Sequence, residues 1–250
     1  MKFRRIMNMS DRISRVVMGF VGAFVGFGSG AGTVSREVKQ GMRALKNPPR
    51  LCVDVGGHSG DYTASILKRV ADCEIVIFEP QKSNFEAIKR RFAHDANVRV
   101  EAYALSDLEG SATIHSDSDG SSLASLTKRR LSHHGINFDH VEEVSAIRFE
   151  DYWRNQLAGA EIALCKIDVE GHELGVLRGF GESLEHINIV QFEFGGCNID
   201  TRTFFQDFYY FFVENGFDLF RISPIGLVPI VKYHESLEVF RTTNYLAIRK

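Results

Sequence analysis

Short apolar runs recur along this chain, and stretches of helical period separate them. Leu51-Cys52-Val53-Asp54-Val55 has the pattern of a buried strand and runs into a loop holding Gly56, Gly57 and Gly60. Ala64, Ile66, Leu67 and Val70 then mark the apolar side of a helix. Glu74 to Phe78 is a second buried strand, ending in Glu79-Pro80. Ser83 to His94 reads as a helix with Phe85, Ile88 and Phe92 inward, and Asn97 to Leu105 as a third strand closed by a turn at Ser106-Asp107. Residues 111–115 and Val144 to Phe149 are shorter strands, the latter followed by a helix holding Trp153. Glu161 to Asp168 is the next buried strand, with a helix through Phe180, and Ile187 to Phe194 follows. Thr203 to Asn215 is helical, with Phe204, Phe208, Phe211 and Phe212 expected on one face. Phe217–Arg221, Gly226–Tyr233 and Glu238–Ile248 read as three closing strands. Strand and helix alternate first and strands pair at the end. That order predicts an α/β fold: a doubly wound, mostly parallel sheet with an antiparallel C-terminal hairpin.

The 250 residues suit one large domain with additions, and 44% hydrophobic residues exclude gross disorder. The net charge of −2 hides an asymmetry. Residues 1–50 carry ten Lys or Arg against Asp11 and Glu37, and the rest of the chain is acidic by ten charges. The acidic body is a poor nucleic-acid binder. The basic arm points to a polyanionic surface. Four scattered cysteines, at 52, 73, 165 and 197, form no C-x-x-C pair. That excludes a zinc framework and fits a reducing, cytoplasmic location. Lys128, Arg129, Arg130, His133 and His134 read as a solvated helix face within residues 123–142.

Residues 1–46 divide from a domain at 47–250, with Asn47-Pro48-Pro49 as the linker. Within the arm, Val16 to Phe27 is uncharged but shorter than the ~18–20 residues that span a bilayer. Three readings stay open for it: a helix covering the domain, a membrane-surface helix, or a signal peptide cleaved near Ser29-Gly30-Ala31. The second would place residues 1–32 at the inner face of a membrane. Gly22, Gly26 and Gly30 stand four apart, which allows close backbone packing.

Candidate chemistry gathers at the strand ends. Asp54, Glu79, Asp107, Asp168 and Glu193 all fall at predicted C-terminal ends of strands, the edge where open α/β sheets bind ligands. Glycines after the first strand let backbone approach a ligand. An acid ending the second strand is placed to hold both hydroxyls of a ribose. The loop lacks the dinucleotide spacing G-x-G-x-x-G, which disfavours an NAD-dependent dehydrogenase.

Four motifs resemble the FkbM-type methyltransferases. They are Val53 to Gly60, Phe78-Glu79-Pro80, Ala104-Leu105-Ser106-Asp107, and Lys166 to Glu173 with Val176-Leu177-Arg178-Gly179. The last is the most specific, and the likeness spans roughly residues 47–250. Two positions depart from the family pattern. Gly57-His58 stands where Ala-Asn is usual, and His172 where an aromatic is usual.

The resemblance implies a class I, Rossmann-like methyltransferase fold and S-adenosylmethionine as cofactor. It also implies methyl transfer, usually to a hydroxyl oxygen of a carbohydrate, glycolipid or related small molecule. Asp54, Gly56, Gly57, Gly60, Glu79, Pro80, Leu105 and Ser106 are the candidate cofactor residues, with Asp54 as an orienter of the loop. Asp168, Lys166, Glu170, His172, Glu173 and Glu193 are the candidate catalytic residues. A hydroxyl nucleophile gains from a base within hydrogen-bond reach. A divalent metal on Asp168 and another acid is the alternative, without a metal-specific spacing to support it. A non-catalytic cofactor-binding module with a docking role is the rival function.

Overall fold

The computed structural model describes residues 16, 17, 19, 22, 25–28 and 32–250. The basic stretch 1–15, most of the apolar run and the expected cleavage zone lie outside the described residues. Among the described residues no helix is long and apolar enough to cross a membrane.

The first full helix among the described residues is α1 (Val34–Ala44), capped by the Thr33 hydroxyl. Then come β1 (Leu51–Val55), α2 (Asp61–Leu67), β2 (Glu74–Phe78), α3 (Lys82–Arg91), β3 (Val98–Glu101), β4 (Tyr103–Leu105), β5 (Gly110–Ser116) and β6 (His140–Ile147). They are followed by α4 (Phe149–Gln156), β7 (Ile162–Ile167), α5 (Glu173–Gly179), β8 (Ile187–Phe194), α6 (Cys197–Thr201) and α7 (Phe205–Glu214). The chain closes with β9 (Phe217–Ser223), β10 (Gly226–Ile230) and β11 (Thr243–Arg249).

Eight strands form the main sheet in the order β10-β9-β11-β8-β7-β1-β2-β3. The block from β8 to β3 is parallel. β11 inserts antiparallel between β8 and β9, and β10 pairs antiparallel with β9 as the closing hairpin. This is a class I, Rossmann-like doubly wound sheet. Its direction of winding reverses between β1 and β7, so the crevice of such sheets opens above those two strands. Both faces of the sheet are covered, which is why β1 is buried at every position. One face packs α4, α5 and α7 through Phe149, Leu177 and Phe208. The other packs α1 and α2 through Val38, Tyr62 and Ile66, with Ile88 from α3.

Four expectations are corrected. The run Asn97–Leu105 is two strands: β3 pairs with β2, while β4 leaves for a second sheet of order β4-β6-β5. Residues 123–142 are no helix face; only Ser132–His134 makes a helical turn, and β6 starts at His140. That segment is held in an irregular path by the His115–Ser125 bridge, by the buried side chains of Leu131 and Phe138, and by ion pairs. The aromatic face of α7 is Phe205, Phe208, Tyr209 and Phe212, because the helix starts two residues later than expected and Phe204 stays half exposed at its cap. β10 stops at Ile230 and β11 begins only at Thr243, with a 3-10 turn at Glu235–Leu237 between them.

Candidate active site

β1, β2, β7 and β8 deliver their ends to one edge, and a cleft opens there. Its cavity volume is about 70 Å³, so the walls stand close. Gly56, Glu79 and Pro80 line one part; Leu105 and Ala104 line the side; Asp168, Glu170 and His172 line the other part.

The three loop glycines have different duties. Gly56 sits at φ +80°, and a Cβ there would stand 1.9 Å from the Asp168 carbonyl oxygen. Only glycine lets the β1 loop pass this close to the end of β7 while facing the cleft. A Cβ on Gly57 would meet Ile77 Cγ2 at 2.3 Å, and one on Gly60 would meet the Phe92 ring at 2.6 Å. Those two glycines serve packing beneath the loop. Ile77 thus fills the room that the family's usual alanine would need. His58 takes a left-handed φ of 45°, the region where a short polar residue such as Asn is least strained.

Glu79 is 3% exposed and faces the cleft. Its two oxygens accept the His58 N–H at 2.8 Å and the Gln81 N–H at 2.9 Å. Burial pushes its pKa up to about 7 against those two donors. Each oxygen keeps a lone pair for a further donor. Asp54 does not line the cleft. It is fully buried, accepts from the Thr63 hydroxyl at 2.8 Å, and so ties β1 to α2 under the loop. Burial raises its pKa, with Lys166 and Thr63 opposing. Ser106 stands behind the wall and pairs with His172 Nε2 at 3.0 Å.

The motif after β7 divides in the same way. Lys166 Nζ contacts Asp168 Oδ2 at 3.0 Å. Burial lowers the Lys166 pKa, but Asp168 and Asp54 outweigh it, and the net shift is upward. The ammonium therefore stays charged. Glu170 has a left-handed φ of 55° and receives Arg129 Nη1 at 2.6 Å. Its pKa is pushed up to about 7, by burial first and then by Asp168, against Arg129. Burial lowers the His172 pKa, so the ring is neutral at pH 7. Glu173 faces away from the cleft. It is fully buried and accepts the Val169 and Gly171 N–H groups at 3.1 and 3.0 Å. It fixes the turn that aims Glu170 and His172.

Glu193, from the end of β8, joins Asp168 and Glu170: one carboxylate oxygen of each lies within 4.8 Å of the others. Burial raises the Glu193 pKa well up, and Asp168, Glu170 and Glu173 add to it. Three oxygens so close also suit a divalent cation by donor type. Lys166 already supplies Asp168 with one positive charge.

Sequence reading missed several supports. Arg129 was grouped with solvated neighbours, yet its side chain is 9% exposed and bridges Glu170 to Asp200. Nothing in a run of three cations marks which one turns inward. Glu37 comes from α1, outside the resemblance, and reaches the same polar layer: Gln191 donates to it at 3.3 Å and accepts the Tyr62 hydroxyl at 2.7 Å. Burial pushes the Glu37 pKa up to about 7.

These shifts make an expected result. Glu37, Glu79, Glu170 and Glu173 each rise from 4.5 to about 7 in the folded chain. Between those values the folded state holds more protons than the unfolded one, so stability falls as pH rises and levels off above about 7. His172 works in the opposite sense below its ordinary 6.5 but is one group against four. Thermal melting of the ligand-free protein should therefore be higher at about pH 5.5 than at about pH 8. A higher midpoint at the upper pH would show that these carboxylates are not desolvated as described.

The FkbM methyltransferase domain profile matches residues 54–219, well over half of the chain. Methyltransferase 1 of Beauveria bassiana (strain ARSEF 2860) is 24% identical over 152 residues, 55% of this chain and 60% of that protein. The chain thus spans less than two thirds of that relative's length. Among solved structures, the N-terminal domain of EvdMO1, determined in the presence of SAH and D-fucose, superposes with a TM-score of 0.48 at 7% identity, covering 87% of this chain and 83% of that one. An rRNA methylase from Streptococcus thermophilus gives 0.46 at 10% identity, covering 86% and 94%. The strand-end motifs, the reversal of winding at β1 and the profile match lead to one conclusion: the chain belongs to the FkbM methyltransferase family of S-adenosylmethionine-dependent enzymes.

Proposed function

We propose that this enzyme methylates a hydroxyl oxygen of a carbohydrate, glycolipid or related small molecule. The observation that carries the reading is the shared cleft: Gly56 and Glu79 line one part, and Asp168, Glu170 and His172 another. S-adenosylmethionine, when bound, supplies a methyl group already activated by its sulfonium. The residues present fit it. Gly56 lines the cleft with backbone alone, and Glu79 offers acceptors to paired hydroxyls.

The rest of the task is alignment and removal of one proton. Asp168 is a third exposed, so it reaches an acceptor, and Lys166 fixes its carboxylate through Oδ2. The other oxygen is left to take the hydroxyl proton. Glu193 and Glu170 stand behind it with raised pKa values and can share that proton. Arg129 holds Glu170 in place. A cation held by Asp168, Glu170 and Glu193 is the second reading, favoured by their spacing.

The donor half is tested through Glu79. Glu79→Ala should weaken S-adenosylhomocysteine binding by about 1–3 kcal/mol in calorimetric titration, the scale of losing a charged acceptor. In the wild type the affinity should rise with pH through about 7, because hydroxyl donors favour the ionised carboxylate whose pKa burial holds at about 7. Affinity unchanged by the substitution would remove Glu79 from the donor site.

A further inference from the structure

Away from the cleft, α1 carries its cations on one stripe. Arg36, Lys39 and Arg43 are exposed at i, i+3 and i+7, while Glu37, Val38 and Gly41 turn inward. None of the three forms an ion pair with a described carboxylate. They line a groove whose other wall is the β9–β10 turn, with Pro224 and Ile225. The turn is fixed to the helix: Gln40 Nε2 donates to the Ser223 carbonyl at 2.7 Å. Ile225 is 71% exposed at the tip. From Leu219 to His234 the chain has no Asp or Glu, and within residues 1–50 the only acids are Asp11 and the inward Glu37. An isolated cationic face with a protruding apolar tip therefore sits on a chain whose remainder is acidic.

The position of this face matters. β11 runs antiparallel to β8 with Thr243 opposite Phe194, and Arg221 of β9 lies opposite Tyr245. The β9–β10 turn thus lies on the same sheet edge as Asp168. Three strand spacings separate β9 from β7, roughly 15 Å. Residues 25–28 cover the edge there: Arg221 Nε donates to the Val25 carbonyl at 2.8 Å and stacks on Phe27, and the Gly28 N–H donates to the Thr242 carbonyl at 2.8 Å.

We propose that the α1 stripe and the β9–β10 turn form a docking face for an anionic phospholipid bilayer. Arg36, Lys39 and Arg43 meet the phosphates and Ile225 enters the apolar boundary. Charge complementarity selects an anionic surface, and the exposed isoleucine selects a bilayer over nucleic acid. Docking would set the cleft beside the membrane, within reach of an acceptor anchored there. The proposal does not depend on the chemistry at Asp168.

The test is co-sedimentation of the full chain with vesicles of phosphatidylglycerol and phosphatidylcholine, against phosphatidylcholine alone. Binding should require the anionic lipid and weaken with salt. The triple variant Arg36→Gln, Lys39→Gln, Arg43→Gln should bind about 100-fold more weakly, at about one lipid-surface contact per cation. Ile225→Ser should lose roughly tenfold. Melting and S-adenosylhomocysteine affinity of the variants report on folding. Ile225→Trp gives an independent reading, since the native Trp153 is buried. The fluorescence of this variant should be quenched by brominated lipid where the wild type's is not. Undiminished vesicle binding by the triple variant, no quenching of the Ile225→Trp variant, or equal competition by duplex DNA would each overturn the proposal.

Discussion

Gly56→Val is expected to abolish S-adenosylhomocysteine binding. The glycine holds φ +80°, a region that β-branched residues do not tolerate, and a Cβ would lie 1.9 Å from the Asp168 carbonyl oxygen and 3.0 Å from its carbon. Both obstacles are backbone, so no rotamer relieves them. The β1 loop and the end of β7 must separate, which displaces Asp168 together with the floor of the donor site. Loss of binding by at least ~10²-fold is the expected result, the scale of ~3 kcal/mol. A comparison separates site from stability. Gly57→Ala collides with the Ile77 side chain instead, a contact that a side-chain shift can partly relieve. It should lower the melting temperature while leaving affinity within a few-fold. Equal affinity losses in the two variants would mean that the Gly56 effect is general unfolding.

Asp168→Asn is the second large effect. Its carboxylate meets Lys166 at 3.0 Å and shares a 4.8 Å cluster with Glu170 and Glu193. Asparagine keeps the shape and can still accept from Lys166, but it cannot take a proton from an acceptor hydroxyl. Turnover should fall by at least ~10²-fold, while S-adenosylhomocysteine affinity stays within about threefold. Parallel loss of affinity and rate would move Asp168 into the donor site. Chelation of the wild type by EDTA separates base from metal: a loss restored by added magnesium would assign the cluster to a cation.

The parallel core was legible because buried strands are continuous apolar runs, and β1, β2, β7 and β8 each ended in an acid or a glycine turn that marked the binding edge. The acids themselves looked alike in sequence. Orientation sorts them: Glu79, Asp168 and Glu170 line the cleft with Glu193 beside the last two, while Asp54 and Glu173 turn under the loops they hold. That sorting depends on which way a loop folds, and it has no sequence period. The segment between β5 and β6 was misread for a related reason. Its three adjacent cations resemble a solvated face, and only the partners Glu170 and Asp200, distant in the chain, draw Arg129 inward. The split of the third strand at residue 102 was equally hidden, since β3 and β4 carry similar alternation but pair in different sheets.

His172 lies between these extremes. Its position was visible as a departure from the family pattern, and its contact with Ser106 joins two motifs that are 66 residues apart. Any Cβ at residue 175 would strike the imidazole at 2.5 Å, so Gly175 keeps the ring in place. A phenylalanine here would lose the Ser106 bond while keeping the wall.

The most direct measurement is transfer of labelled methyl from S-adenosylmethionine into glycan and glycolipid fractions, run with wild type and Asp168→Asn side by side. The wild type should place label in a base-stable linkage, as an ether on a hydroxyl oxygen requires, and Asp168→Asn should place almost none. Label in a base-labile ester, or equal incorporation by the two proteins, would contradict hydroxyl methylation driven by the Asp168 cluster.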